Sequence, residues 1–203
     1  GQILNSIDNM QNDLKQRTET EAQKAKINER VKQALDHVTA NVMVADHNND
    51  IVYINNAAVD LFSDIEHHIA NEINGFKANN ILGSNVDIFH KNPQHQQNLL
   101  KTLSQQHKAN FLAGGQSMSF TANPVIDDTG ERLGTVVEWE NLTEEVNTEK
   151  EIQSIVSAVQ QGSLDQRIST EGKQGFFLNL SNGINDMVEE VANTLDDINT
   201  TMS

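Results

Sequence analysis

The sequence predicts an α+β domain set between two helical segments, and three observations predict it. Residues 40 to 143 carry β-branched and apolar runs of strand length, separated by turn clusters rich in Asp, Asn and Gly. On both sides of that stretch the apolar residues instead recur at steps of three and four, a helical seam. Apolar residues make up only 36% of the 203-residue chain, a low share for a self-contained globular protein, so part of it needs a partner to bury its surface.

The first helix is expected over residues 1 to about 38. Ile3, Ile7, Met10 and Leu14 form one seam, which weakens to Ala22 and Ala25 and resumes at Ile27, Val31, Leu35 (or Ala34) and Val38. Such a helix, polar on most faces, is marginal alone in water and calls for a partner helix, most simply its own copy. Ala40 to Ala45 and Ile51 to Ile54 then read as a hairpin around the turn Asp46-His-Asn-Asn-Asp50. Asn55 to Phe62 reads as a short helix with Ala58, Leu61 and Phe62 on one side. Ser63 and Glu66 have the spacing of a capping box for the next.

After Gly83 comes Ser84-Asn-Val-Asp-Ile-Phe-His-Lys-Asn-Pro-Gln-His95, in which His90 follows two bulky apolar residues. Pro93 suits the first position of a helix expected to run to about Gln106, with Leu99, Leu100 and Leu103 as its apolar face. Three strands follow: Ala109 to Ala113, Ser117 to Ile126 and Arg132 to Glu140, joined through Gly114-Gly115 and through Asp127 to Gly130. Period-2 alternation puts Leu133, Thr135, Val137 and Trp139 on one face of the last strand, and Met118, Phe120 and Ala122 on one face of the strand before. The apolar sets are expected to face inward, so Trp139 and Phe120 point toward the space between sheet and helices. Trp139 as plain core filler is the alternative.

From Glu144 the helical seam returns at Ile152, Ile155 and Val159 and breaks at Gly162. A connector, Ser163 to Gly175, has Leu164 and Ile168 as its only large apolar residues. Phe177, Leu180, Ile184, Met187, Val191, Leu195, Ile198 and Met202 form a second seam, with two steps of four falling together at Val191 to Leu195. Ile3, Ile7, Met10 and Leu14 match Leu180, Ile184, Met187 and Val191 in spacing and type, an internal echo.

Composition excludes several functions. Lysine and arginine number 14 against 29 acids, a net charge of −15, which repels nucleic-acid phosphates and anionic membranes. There is no cysteine, so disulfides, thiolate metal sites and cysteine nucleophiles are ruled out. No Gly-rich phosphate loop or nucleophile elbow points to an enzyme. His67, His68, His95 and His107 read as solvated. A zinc site from His90 and His95 is poor, because a step of five does not place both on one helix face. Asn141-Leu-Thr143 fits a glycosylation pattern, a weak signal in a chain that reads as cytoplasmic.

Residues 144 to 203 resemble a HAMP domain, the parallel four-helix signalling module of transducers and sensor kinases. Gly162 opens the connector, and Leu164 and Ile168 stand where that family packs two connector residues on the helices. Gly172-Lys-Gln-Gly-Phe-Phe177 and Ile184-Asn-Asp-Met187 resemble the second-helix start, with Lys173 where the family has an acid. Residues 1 to 17 resemble the last helix of a preceding HAMP module, and 18 to 38 a connecting signalling helix.

Residues 39 to 143 resemble a PAS sensor domain, an antiparallel five-stranded sheet with short helices. Asn141 and Thr143 fall at that family's Asp-x-Thr exit motif, Asn replacing Asp. Val38-Thr-Ala-Asn-Val-Met-Val-Ala-Asp46, Phe89-His-Lys-Asn-Pro93 and Gly134-Thr-Val-Val-Glu-Trp139 are similar to the PAS domain of haem-binding aerotaxis transducers. That resemblance implies haem b with His90 as the axial iron ligand, Trp139 donating a hydrogen bond to bound oxygen or another diatomic gas, and Phe120 walling the same pocket.

It further implies a relay through Asn141, Thr143, Gly162, Leu164 and Ile168, and a homodimer joined through the HAMP and coiled-coil helices. Control of a downstream histidine kinase and its adaptor follows from the family alone, as does any membrane anchor, which falls outside this chain. Two other readings stay open: a haem-free dimerisation and relay module, and a PAS domain for a different small ligand.

Overall fold

A computed structural model of the chain describes residues 2–90 and 103–202, with side chains from residue 8 onward. Helix α1 covers Gln2–Asp36. The hairpin β1 (Asn41–Asp46) and β2 (Ile51–Ile54) follows, then two short helices, α2 (Asn56–Asp64) and α3 (Glu66–Ala70), and 3₁₀ turns at Ala78–Asn80 and Val86–Phe89. Strands β3 (His107–Ala113), β4 (Gln116–Ile126) and β5 (Arg132–Asn141) come next, then helices α4 (Thr143–Gln160) and α5 (Gly175–Thr201). The five strands form one sheet in the order β2-β1-β5-β4-β3. This is the α+β PAS fold the resemblance implied. Two compact units divide the chain: Gly1–Lys108 with Thr121–Trp139, and Ala109–Phe120 with Glu140–Ser203.

In the first unit, the hairpin turn forms because the Asp46 carboxylate accepts the amides of Asn48 and Asp50. Those bonds hold the acid below its usual range. Asn49 takes the left-handed conformation the turn requires (φ 67°). Strand β1 then pairs antiparallel with β5, from Asn41 opposite Trp139 to Asp46 opposite Gly134. Gly134 is needed here, since a Cβ would stand 2.2 Å from the Ala45 carbonyl oxygen. Of the face expected to point inward, Thr135, Val137 and Trp139 are buried, but Leu133 is 52% exposed. It lies one residue beyond the last β1–β5 pair.

The capping box expected at Ser63 and Glu66 is not formed. Ser63 lies inside α2, where its hydroxyl donates to the Val59 carbonyl at 2.8 Å. Glu66 instead accepts from Lys77 Nζ at 2.8 Å and the Ala78 amide at 3.0 Å, capping the following 3₁₀ turn. The expected helix from Pro93 falls, with Leu99 and Leu100, on residues outside those described. Its proposed end does not hold, for residues 103–106 are not helical and β3 opens at His107.

The second unit holds β3, the start of β4, and the pair α4–α5. Helix α4 ends in a Schellman motif: the Gly162 amide donates to the Val159 carbonyl and the Ser163 amide to that of Ala158. Gly162 sits at φ 81°, the left-handed position this ending needs. The 18 residues of α4 rise about 27 Å. The stretch from 161 to 174 can span about 40 Å extended, enough to return the chain alongside α4 and start α5 parallel to it. Glu144 at the start of α4 meets Gln174 at the start of α5, and further along Ile155 packs with Val188. Ile168 from the connector completes that core, flanked by Ile152, Val159, Leu164 and Ile184.

Candidate functional site

The segment bearing His90 hangs from the β1–β2 hairpin. Ile51 donates to the Ser84 carbonyl at 2.8 Å, and the Gly83 amide donates to Ile51 at 2.9 Å. The Val86 amide donates to the Asn49 carbonyl at 2.9 Å, and Asn85 Nδ2 reaches Asn48 O at 3.1 Å and Asp50 Oδ1 at 2.8 Å. Asn85 also opens the 3₁₀ turn by accepting from the Asp87 amide. His90 ends that turn half-buried, its backbone amide on the Asp87 carbonyl.

Its imidazole Nδ1 lies 3.1 Å from the Val86 carbonyl oxygen. A carbonyl can only accept, so in this bond Nδ1 donates, and the neutral ring's lone pair is then on Nε2. Burial pushes the imidazole below the ordinary histidine value near 6.5, against the opposing pull of the Val86 carbonyl and the Asp87 carboxylate. The ring is therefore neutral at pH 7. A neutral imidazole with Nδ1–H tied to a backbone carbonyl and its lone pair on Nε2 is the ligating form of histidine.

Phe89, the residue before His90, turns into an aromatic cluster. Its ring centroid is 5.2 Å from Trp139, 5.2 Å from Phe62 and 5.7 Å from Phe76. Phe62 meets Trp139 edge-on at 5.3 Å, a favourable quadrupole arrangement. Phe62 comes from α2 and Trp139 from β5, where Asn41 of β1 donates to its carbonyl at 2.8 Å. Trp139 is 7% exposed. The indole and the His90 segment thus meet through Phe89. Phe120 on β4 is half-buried and stacks at 6.0 Å on Phe111 of β3. The donor set fits an axial haem ligand at His90, while a macrocycle entering this side of the sheet has to part the rings of Phe62, Phe89 and Trp139.

One hub was not apparent from the sequence. Asn55 is fully buried and uses every hydrogen-bonding position of its amide. Oδ1 accepts from the Val42 and Ala58 amides at 2.9 and 3.1 Å; Nδ2 donates to the Leu35 and Ala40 carbonyls at 3.1 and 2.8 Å. It caps α2 and at the same time holds the end of α1. Tyr53 reinforces that end, its hydroxyl donating to Asp36 Oδ1 at 2.7 Å, and its pKa is pushed up to about 12 by burial and by Asp36. An Asn before a helix reads as a cap; that it also binds a carbonyl twenty residues earlier depends on where α1 ends.

At the exit of β5, Asn141 Oδ1 accepts from the Thr143 amide at 3.0 Å, and Thr143 Oγ1 accepts from the Ser117 amide at 2.9 Å. The Leu142 amide donates to the Ser117 carbonyl at 2.7 Å, completing a clasp on β4. Gly162, Leu164 and Ile168 stand at the α4 ending and in the α4–α5 core, as described above. The connector is held by a feature the seam did not reveal: Asn185 Oδ1 accepts from the Ile168 amide at 2.8 Å and Nδ2 donates to the Ile168 carbonyl at 2.9 Å.

No group of three or more His, Asp or Glu residues able to hold a metal ion occurs among the described residues. Nor is any described helix long and apolar enough to cross a membrane.

No family model matches the chain. It is 38% identical over 200 residues to the methyl-accepting chemotaxis protein McpB of Pseudomonas aeruginosa, a match covering 97% of this chain. The chain spans about 30% of that relative's length. Among solved structures it is similar to the Aer2 receptor from Vibrio cholerae, described as a dual PAS-heme oxygen sensor. That match is 31% identical with a TM-score of 0.47, over 51% of this chain and 95% of the other. It is also similar to the PAS domain of Bordetella pertussis BvgS, at 16% identity and a TM-score of 0.39, over 64% and 96%.

Proposed function

We propose that the chain is the cytoplasmic sensor and relay segment of a chemoreceptor, in which the PAS domain binds haem b through His90 and responds to oxygen or another diatomic gas. The observation that supports it is the His90 imidazole itself: neutral, with Nδ1 donating to Val86, which makes Nε2 the nitrogen that would take a metal. The chemotaxis part of the reading is supported by the similarity to a methyl-accepting chemotaxis protein over nearly the whole chain.

When bound, haem supplies an iron that takes up a diatomic gas. The chain's own groups do the rest. Val86 orients the imidazole, the aromatic rings exclude water, and Trp139 offers an indole N–H as hydrogen-bond donor to the gas, with Phe120 as a wall. A change at Phe89 or Trp139 reaches Asn141 and Thr143 along β5. From there it passes into α4 and the HAMP helices, where Gly162, Leu164 and Ile168 set the connector. Exposed apolar residues along α1 (Met10, Leu14, Ile27, Val31) and α5 (Met187, Val191, Leu195, Ile198) are covered in a homodimer. A histidine kinase and its adaptor are the downstream partners.

A second reading, a haem-free dimerisation and relay module, is favoured by the mutual contact of the three rings. Reconstitution with hemin separates the two. The first reading expects a sharp Soret band and a change in Trp139 fluorescence on loading, the band lost in His90→Ala and kept in His95→Ala. No band in the parent, or equal loss in both variants, rejects haem at His90. For the gas, Trp139→Leu keeps the band but releases oxygen faster; unchanged release removes Trp139 from that role.

A further inference from the structure

We propose that Lys173 and Glu151 form a charged brace that fixes the end of the connector, and with it the start of α5, onto α4. Lysine ordinarily keeps its ammonium in water. Here the Lys173 side chain is only 8% exposed, and its Nζ lies 2.8 Å from Glu151 Oε2 and 2.6 Å from the Ser169 carbonyl oxygen. Glu151 is 36% exposed, so the pair sits at the rim of the helix pair, with the cation as its desolvated member.

A buried ammonium is tolerated because both a carboxylate and a carbonyl meet it; removing the carboxylate leaves the charge stranded. Sliding the connector along α4 has the same effect. The brace therefore selects one register among the many that an apolar contact of Ile168 on Ile155 and Val188 would permit.

A second acid works beside it. Glu144 lies seven residues before Glu151, two helical turns away on the same face of α4. Its Oε1 accepts from the Gln174 amide at 3.4 Å, at the residue that caps α5. A carboxylate there also meets the positive end of the α5 dipole. Gln174 provides no side-chain cap of its own. Glu144 directly follows Thr143, whose hydroxyl is clasped to Ser117. Displacement of the first turn of α4 thus reaches the start of α5 through the Glu144 carboxylate, without running the length of the connector.

The brace involves described residues of one unit alone and stands whether or not haem binds. Hydrogen exchange of the full chain without hemin tests it, in E151K, K173E, the swapped pair E151K/K173E, and K173M. Amides from Leu178 to Asn185 are expected to exchange about tenfold faster in each single variant. The swap is expected to return them to within about twofold of the parent. K173M keeps the apolar stem and loses the charge, so it is expected to behave like K173E. Parent-like protection in K173M reduces Lys173 to a packing stem and overturns the proposal. So does a swap that restores nothing.

Discussion

The most deeply buried polar side chains of the two units differ in how they are satisfied. In the first, Asn55 is buried with four hydrogen bonds and ties together α1, β1 and α2. In the second, the hydroxyls of Thr148 and Ser181 are as deeply buried, yet they find no hydrogen-bond partner among the described residues. They lie one heptad before Ile155 and Val188 on their helices, on the face that joins α4 to α5. The first unit encloses an aromatic cluster. In the second, Ile155, Ile168 and Val188 form the buried core between α4 and α5, and an exposed apolar stripe runs along α5. The contrast teaches that the α+β unit is tied together from within, whereas the helical unit leaves buried hydroxyls and an exposed apolar stripe that its own described residues do not meet.

The sharpest way to break the comparison is at Asn55. Asn55→Ala strands two amides and two carbonyls, and should cost about 3 kcal/mol or more in urea unfolding followed by Trp139 fluorescence. A loss below about 1 kcal/mol contradicts the hub. Next, Val188→Ala removes buried methyl groups from the small α4–α5 core and should cost about 2 kcal/mol, read from helical circular dichroism. The Trp139 transition is expected to stay in place, and a matching shift in both signals ends the distinction between the units.

Gly162→Ala meets no neighbour within 4 Å, so its cost is backbone conformation alone, about 1 kcal/mol at φ 81°. Thr148→Val should go the other way, raising the helical midpoint by about 0.5–1 kcal/mol, since it replaces an unsatisfied hydroxyl with a methyl of the same shape. Destabilisation instead places a hydrogen-bond partner on Thr148.

The last effect is a slope. The folded pKa of His90 lies below the unfolded value near 6.5, so in the window below 6.5 the unfolded chain binds more protons. Stability contributed by the neutral ring is present above that window and is lost as pH falls through it. His90→Gln should flatten the dependence of the urea midpoint between the unfolded and folded values; an unchanged slope assigns the effect to other groups.

Local chemistry carried much of the fold. Asp46 to Asp50 and Gly114-Gly115 signal their turns by composition, and period-2 alternation placed Trp139 inward from β5 alone. The same alternation failed at Leu133, because a strand's pattern tells faces apart but not how far its neighbour extends. Ser63 and Glu66 had the spacing of a cap, but α2 continued through Ser63 and Glu66 was taken by Lys77 and Ala78. On α5 the seam through Met187, Val191 and Leu195 proved to be the solvent stripe, with Val188 turned toward α4. A helix with two apolar stripes does not declare which one its own chain covers.

At the site, the apolar shoulder of His90 could be read from Ile88 and Phe89. The Nδ1 bond to Val86 could not, since it depends on a 3₁₀ turn closing four residues back. Lys173 and Glu151 lie 22 positions apart, and only the return of the connector brings them together.

The anchoring of α1 has a mechanical side. Its 35 residues make a rod about 50 Å long, clamped at one end through the Leu35 and Asp36 carbonyls and the Asp36 carboxylate. A rod held so acts as a lever whose fulcrum is the Asn55–Asn56 corner. A small tilt at the clamp becomes a large sweep at the far tip, and a twist applied at the tip arrives as torque on the helix that carries Phe62.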